Sequence, residues 1–101
     1  MVRIEDVRNY STNDAIVFTE HLLTRMRQRH IRITDIKQGI AKGEIIEQYP
    51  TDYPFPSCLI NAGDIHIVCS IGEGHLYIIT AYHPSQEKWE NGGRKRKENK
   101  P

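Results

Sequence analysis

The chain has 101 residues, 38% of them hydrophobic, and a formal net charge of +1. That length supports one modest core and excludes a second independent domain. No apolar run approaches the ~20 residues of a membrane span, and Glu5 and Asp6 stand where a signal peptide needs an apolar stretch, so a cytoplasmic protein is expected.

In chain order, Ile4 and Val7 are spaced for a short helix over residues 3–9, broken by the polar stretch from Asn9 to Asp14. Thr19 is the expected N-cap for a helix over 19–30, with Leu22, Leu23, Met26 and His30 on one side. A second helix is expected from Asp35 to Lys42, with Thr34 as N-cap, Ile33, Ile36 and Ile40 as the buried stripe and Gly43 at its end. Glu44 to Tyr49 reads as a strand, followed by an extended connection through Pro50, Pro54 and Pro56. Three further strands follow, Cys58–Asn61, Asp64–Ile71 and His75–Tyr82, joined by two-residue turns at Ala62-Gly63 and Glu73-Gly74. The expected architecture is therefore α+β, with N-terminal helices packed on a three- to four-stranded antiparallel sheet. The domain spans 1–89, and residues 90–101, which lack apolar side chains, read as a disordered basic tail.

Those turns set a register. One sheet face becomes Cys58, Ile60, Ile65, Ile67, Cys69, Ile71, Leu76, Ile78, Thr80 and Tyr82, which is the core face. Cys58 and Cys69 are then small buried hydrophobes, and with no CxxC or Cys/His knuckle they suggest neither a disulfide framework nor a zinc motif. The other face carries Leu59, His66, Val68, Ser70, Tyr77, Ile79 and Ala81, a mixture suited to a groove, and places His66 between Leu59 and Ala81.

Few residues offer chemistry. His21, Arg25 and Arg29 recur at helical spacing and form one stripe, either a polar helix edge or a phosphate-binding row beside a neutral imidazole base. His66 suits a proton donor or substrate ligand as well as it suits a hydrogen-bonded structural histidine. Trp89 reads first as a packing anchor and second as a base-stacking platform. Arg94, Lys95, Arg96 and Lys97 continue the basic charge toward Lys100, as a solvated extension or as a phosphate attractor. His66, Cys69, His75 and His83 do not make a metal site, because Cys69 points away from His66 and no carboxylate joins them. No cofactor is expected.

Thr19-Glu20-His21-Leu22-Leu23-Thr24-Arg25-Met26-Arg27-Gln28-Arg29-His30-Ile31 resembles a signature of the form T-x-H-A-x-x-R-M-x-x-R-x-I, with Leu22 in place of the usual alanine and an added Arg27. Gly43 to Pro50, Pro54 to Leu59, His66-Ile67-Val68 and Ile79-Thr80-Ala81-Tyr82, with Pro84 and Trp89, resemble the remaining blocks in order. The family is one of small prokaryotic proteins of unknown function that looks distantly like the RelE/ParE and MqsR toxin superfamily. The resemblance implies a RelE-like fold, metal-independent RNA cleavage and pairing with a small zinc-finger antitoxin-like protein. On that reading His21 and His66 form the proton-transfer pair, Arg25 clamps phosphate, Arg29 supports it and Tyr82 is a further catalytic candidate. Arg25, Arg29, Lys88, Arg94, Lys95 and Arg96 then hold the nucleic acid. The competing expectation is a non-catalytic nucleic-acid- or protein-binding module, with a basic surface and no converging histidines.

Overall fold

A computed structural model describes residues 1–97. Three helices, α1 (Ile4–Thr12), α2 (Glu20–Gln28) and α3 (Ile33–Lys42), pack on one face of a five-stranded sheet. Its strands are β1 (Ile16–Val17), β2 (Glu44–Tyr49), β3 (Ser57–Asn61), β4 (His66–Gly72) and β5 (His75–Tyr82), in the order β1-β5-β4-β3-β2. A separate hairpin of β6 (Trp89–Glu90) and β7 (Lys95–Arg96) follows. Among the described residues no helix is long and apolar enough to cross a membrane.

The helices form where apolar periodicity and end chemistry agree. Thr19 caps α2 by accepting a hydrogen bond from the Leu22 amide at 3.1 Å, and Leu22 and Met26 are buried beneath it. α3 begins two residues earlier than expected. Arg32, not Thr34, is its N-cap residue, because Asp35 reaches back to the Arg32 amide at 2.8 Å. At the other end, Arg8 of α1 donates to the Ile40 and Gly43 carbonyls at 3.0 and 2.9 Å, satisfying groups that a helix terminus leaves orphaned. Val7, Leu22, Met26, Ile36 and Ile40 meet Cys58, Ile60, Ile67, Cys69, Leu76, Ile78 and Ala81 in one core. The two thiols lie 3.7 Å apart within it, as cross-strand partners.

The sheet departs from the sequence reading in three ways. It is mixed rather than purely antiparallel: Ile16 and Val17, too short a pair to register as a strand in the pattern, run parallel to β5 beside Leu76 and Tyr77. The first hairpin pairs Cys58 with Cys69 and Asn61 with His66, so the turn is centred on Gly63-Asp64 rather than Ala62-Gly63; this shift by a pair keeps every side chain on its expected face. The second hairpin starts in the expected register, Ile71 opposite Leu76, but the register slips by one between Ile78 and Thr80. A matching slip in β2 falls between Ile45 and Glu47. Each is a bulge that turns the following residues over.

The segment beyond Trp89, expected as a disordered basic tail over 90–101, also differs. As far as Lys97 it folds back as the β6–β7 hairpin, turning through Asn91, Gly92 and Gly93, all at positive φ. Two arginines find carboxylates on β2: Arg94 lies 2.9 Å from Glu44 and Arg96 2.7 Å from Glu47. The low apolar content of the segment concealed a structure held by Trp89 and by charge; residues 98–101 lie outside the described residues.

Candidate active site

The two bulges decide which side chains face away from the helices. Without the extra residue in β2, Glu47 would continue the core side of the strand; with it, Glu47 pairs with Leu59 and Tyr49 with Ser57, on the outer face. In β5 the extra residue, Ile79, sends Ala81 into the core and brings Thr80 and Tyr82 to the outer face. Tyr82 is therefore not core-facing as the continuous register required. His66 is flanked by Asn61 and Tyr82 rather than by Leu59 and Ala81.

A connected cluster results. The Tyr82 hydroxyl lies 3.3 Å from His66 Nδ1, and the Gly93 carbonyl lies 2.7 Å from His66 Nε2. A carbonyl can only accept, so Nε2 carries the proton and donates to Gly93, leaving Nδ1 to accept from Tyr82. Trp89 packs edge-on to the imidazole at 4.5 Å, and the Arg96 guanidinium sits 4.5 Å from the centre of the indole. Arg96 binds both carboxylate oxygens of Glu47, at 2.7 and 3.1 Å, and the Tyr49 hydroxyl donates to the same carboxylate. Asn61, the neighbour of His66 on β3, has a buried Oδ1 with no hydrogen-bond partner among the described residues.

Titration behaviour is altered throughout. Burial lowers the His66 imidazole below its ordinary value, against the Gly93 carbonyl and the Glu47 charge, which favour the protonated ring. Burial pushes the Tyr82 phenol up. Tyr49 is pushed up to about 12, by burial and then by its bond to Glu47. Glu47 is itself raised by burial, but the hydrogen bonds from Arg96 and Tyr49 prevail and hold the carboxylate below its usual range. At neutral pH the cluster holds a neutral imidazole, protonated phenols, a carboxylate and a guanidinium. Such groups side by side can move a proton in both directions and stabilise a developing anion.

The sequence-nominated residues separate into three groups. His66 and Tyr82 come together. His21 and Arg25 are exposed on α2, and among the described residues neither side chain forms a hydrogen bond or ion pair with the cluster. Arg29 is structural: its guanidinium wraps the edge of β5, donating to the Ala81 carbonyl at 2.8 Å and to Thr80 Oγ1 at 3.3 Å. Lys88, just before the hairpin, and Lys95, within it, are exposed, while Arg94 and Arg96 pair with the β2 carboxylates. Glu47, Tyr49 and Asn61 escaped sequence reasoning. The signal was present as alternating polar residues in Glu47-Gln48-Tyr49, but only the bulge fixes which of them face the site. Among the described residues no group of three or more His, Cys, Asp or Glu side chains converges to hold a metal ion.

The architecture is that of a small α+β protein in which a helical layer covers one sheet face and polar chemistry collects on the other. The chain matches the family model described as Domain of unknown function (DUF4258) over residues 18–83, and belongs to that family. No curated protein and no solved structure matches it. The matched segment carries Glu47, Asn61, His66 and Tyr82; Trp89, Gly93 and Arg96 come from beyond it.

Proposed function

We propose that the chain is a toxin-type endoribonuclease of RelE-like architecture that cleaves RNA without a metal ion, through the outer-face cluster of Glu47, His66, Tyr82 and Arg96. The observation that carries this reading is the hydrogen-bonded His66–Tyr82 pair, a few ångströms from a guanidinium-bearing indole. Cleavage by the ribose 2′-hydroxyl needs a base at that hydroxyl, an acid at the leaving 5′-oxygen and positive charge at the phosphoryl oxygens. His66 serves as the base through Nε2 once the Gly93 carbonyl withdraws and the ring proton moves to Nδ1, and Tyr82 serves as the acid. Arg96 serves as the phosphate clamp, with Arg94, Lys88 and Lys95 adding attraction along the hairpin. The stripe of His21 and Arg25 then guides the RNA rather than reacting with it. A zinc-finger antitoxin-like partner belongs to the same reading, as the counterpart that such a toxin requires.

The test is cleavage of single-stranded RNA, with chelator present, by wild type and by Tyr82→Phe and His66→Gln, each checked by thermal melt. The reading expects cleavage by wild type and loss of about 10²-fold or more in folded Tyr82→Phe, the range typical of a lost proton-transfer group.

A second reading has its own support. His21 and Arg25 are exposed and, among the described residues, form no hydrogen bond or ion pair with the His66 cluster, while the hairpin closes Nε2, an arrangement suited to a binding module that holds nucleic acid on α2. It expects RNA binding that Arg25→Ala weakens, with the RNA left intact.

A further inference from the structure

The hairpin covers the His66–Tyr82 pair, yet it is not built into the sheet beneath it. β6 and β7 form their own two-stranded sheet, and among the described residues no backbone–backbone hydrogen bond joins it to the five-stranded one. What holds it is a set of side-chain contacts: Trp89 against His66, Arg94 on Glu44, Arg96 on Glu47, and the single bond from His66 to the Gly93 carbonyl. The two arginines are more than half exposed, at 66% and 58%, so salt and competing anions reach both pairs. Among the described residues the Asn61 Oδ1 is buried without a donor, a cost that access of water or ligand would relieve. Gly93 marks the close approach: a Cβ there would sit 3.0 Å from His66 Nε2 and 3.3 Å from Asn61 Oδ1, and its φ of +83° suits glycine.

We infer that residues 89–96 are a releasable cover that holds His66 in an inactive tautomer, and that the phosphates of single-stranded RNA open it by drawing Arg94 and Arg96 away from Glu44 and Glu47.

The chemistry of the cover follows from the ring. Closed, Nε2–H is committed to Gly93 and cannot accept a proton, while the Tyr82 proton is directed at Nδ1. Once Gly93 leaves, the proton can reside on Nδ1 and donate to the Tyr82 oxygen. Nε2 is then a bare base, and the Tyr82 hydroxyl proton is free to point outward. One displacement thus turns both groups toward a substrate. A guanidinium fork binds a phosphate as readily as a carboxylate, so the ligand that needs the site also competes for the latch. The inference rests on the ribonuclease reading for its ligand, but not for the opening itself.

The experiment reads the His66 tautomer by imidazole nitrogen chemical shifts, with emission of Trp89, the one tryptophan in the chain, as a second measure. The probe is a single-stranded oligoribonucleotide carrying 2′-O-methyl groups, which cannot be cut by 2′-hydroxyl attack. Wild type alone is expected to show Nε2–H. Both Arg94→Gln/Arg96→Gln and wild type with the oligonucleotide are expected to show Nδ1–H, with Trp89 emission shifted to longer wavelength. If Nε2–H persists in both, the hairpin is a fixed part of the fold and the inference is overturned. A change in the double variant alone overturns the phosphate trigger. A tautomer switch in a protein that leaves unmodified RNA uncut keeps the cover and removes the ribonuclease reading, so the two failures are distinguishable.

Discussion

His66 and Tyr82 are cross-strand partners because β5 carries one extra residue, Ile79, between Ile78 and Thr80. Straight pairing would put Tyr82 among the core residues and Ala81 beside His66. The bulge is therefore the backbone feature that brings the His66 and Tyr82 side chains together, since a bulge re-aims the residues that follow it.

Deleting Ile79 should restore the continuous ladder and turn the end of β5 over. Ala81 leaves the core and Tyr82 enters it with a hydroxyl that has no partner. We expect a loss of roughly 3 kcal/mol or more, at the severe end for a single-residue change. Urea denaturation checks it; an unchanged midpoint would show that the strand end tolerates either orientation.

Stability should depend on His66 at mildly acidic pH. Burial lowers its folded pKa below the ordinary imidazole value of about 6.5. Between that lowered value and 6.5 the unfolded chain binds more protons than the folded one, so stability falls as pH drops through this window and levels off below the folded pKa. Thermal melts of wild type and His66→Gln across about pH 5 to 7.5 isolate the contribution, and the gap between them should narrow toward acid.

Arg29 and Arg25 should behave oppositely, although both lie on one helical stripe. Arg29→Met removes the bonds to Ala81 and Thr80 and should cost about 1–3 kcal/mol. Arg25→Ala, at an exposed position, should stay within about 0.5 kcal/mol of wild type. Chemical denaturation of the two variants side by side reads the difference.

Gly39→Ala tests packing of α3 on the sheet. In an open helix the change would stabilise by about 1 kcal/mol. Here the new Cβ would stand 2.7 Å from the Ala62 Cβ, which is fixed to the backbone and cannot swing away, and 3.0 Å from the Ile67 Cδ1. We expect net destabilisation of about 1–3 kcal/mol, read by thermal melt.

Much of the scaffold was legible in the sequence. Thr19 announced α2 with its cap, Ile36 and Ile40 announced the buried side of α3, and Glu73-Gly74 fixed the last hairpin. Ile16 and Val17 were not legible, since two residues carry no period and their pairing to Leu76 and Tyr77 is set by tertiary placement. The site was half visible. His66 stood out as a titratable group within an apolar strand, but Glu47, Tyr49 and Tyr82 owe their orientation to bulges that leave no distinctive residue pattern. The repeat of His21, Arg25 and Arg29 was genuine as spacing and misleading as a unit: the first two face solvent while the third braces β5. The hairpin eluded a reading based on composition because its anchors on β2, Glu44 and Glu47, are distant in sequence.

The most direct measurement is the chemistry of the ends left on single-stranded RNA after incubation with wild type and with Tyr82→Phe, chelator present. In-line attack by the 2′-hydroxyl, assisted by His66 and Tyr82, predicts 2′,3′-cyclic phosphate and 5′-hydroxyl ends from wild type, reduced about 10²-fold in the folded variant. Intact RNA with wild type, or the same ends at the same rate from Tyr82→Phe, would contradict it.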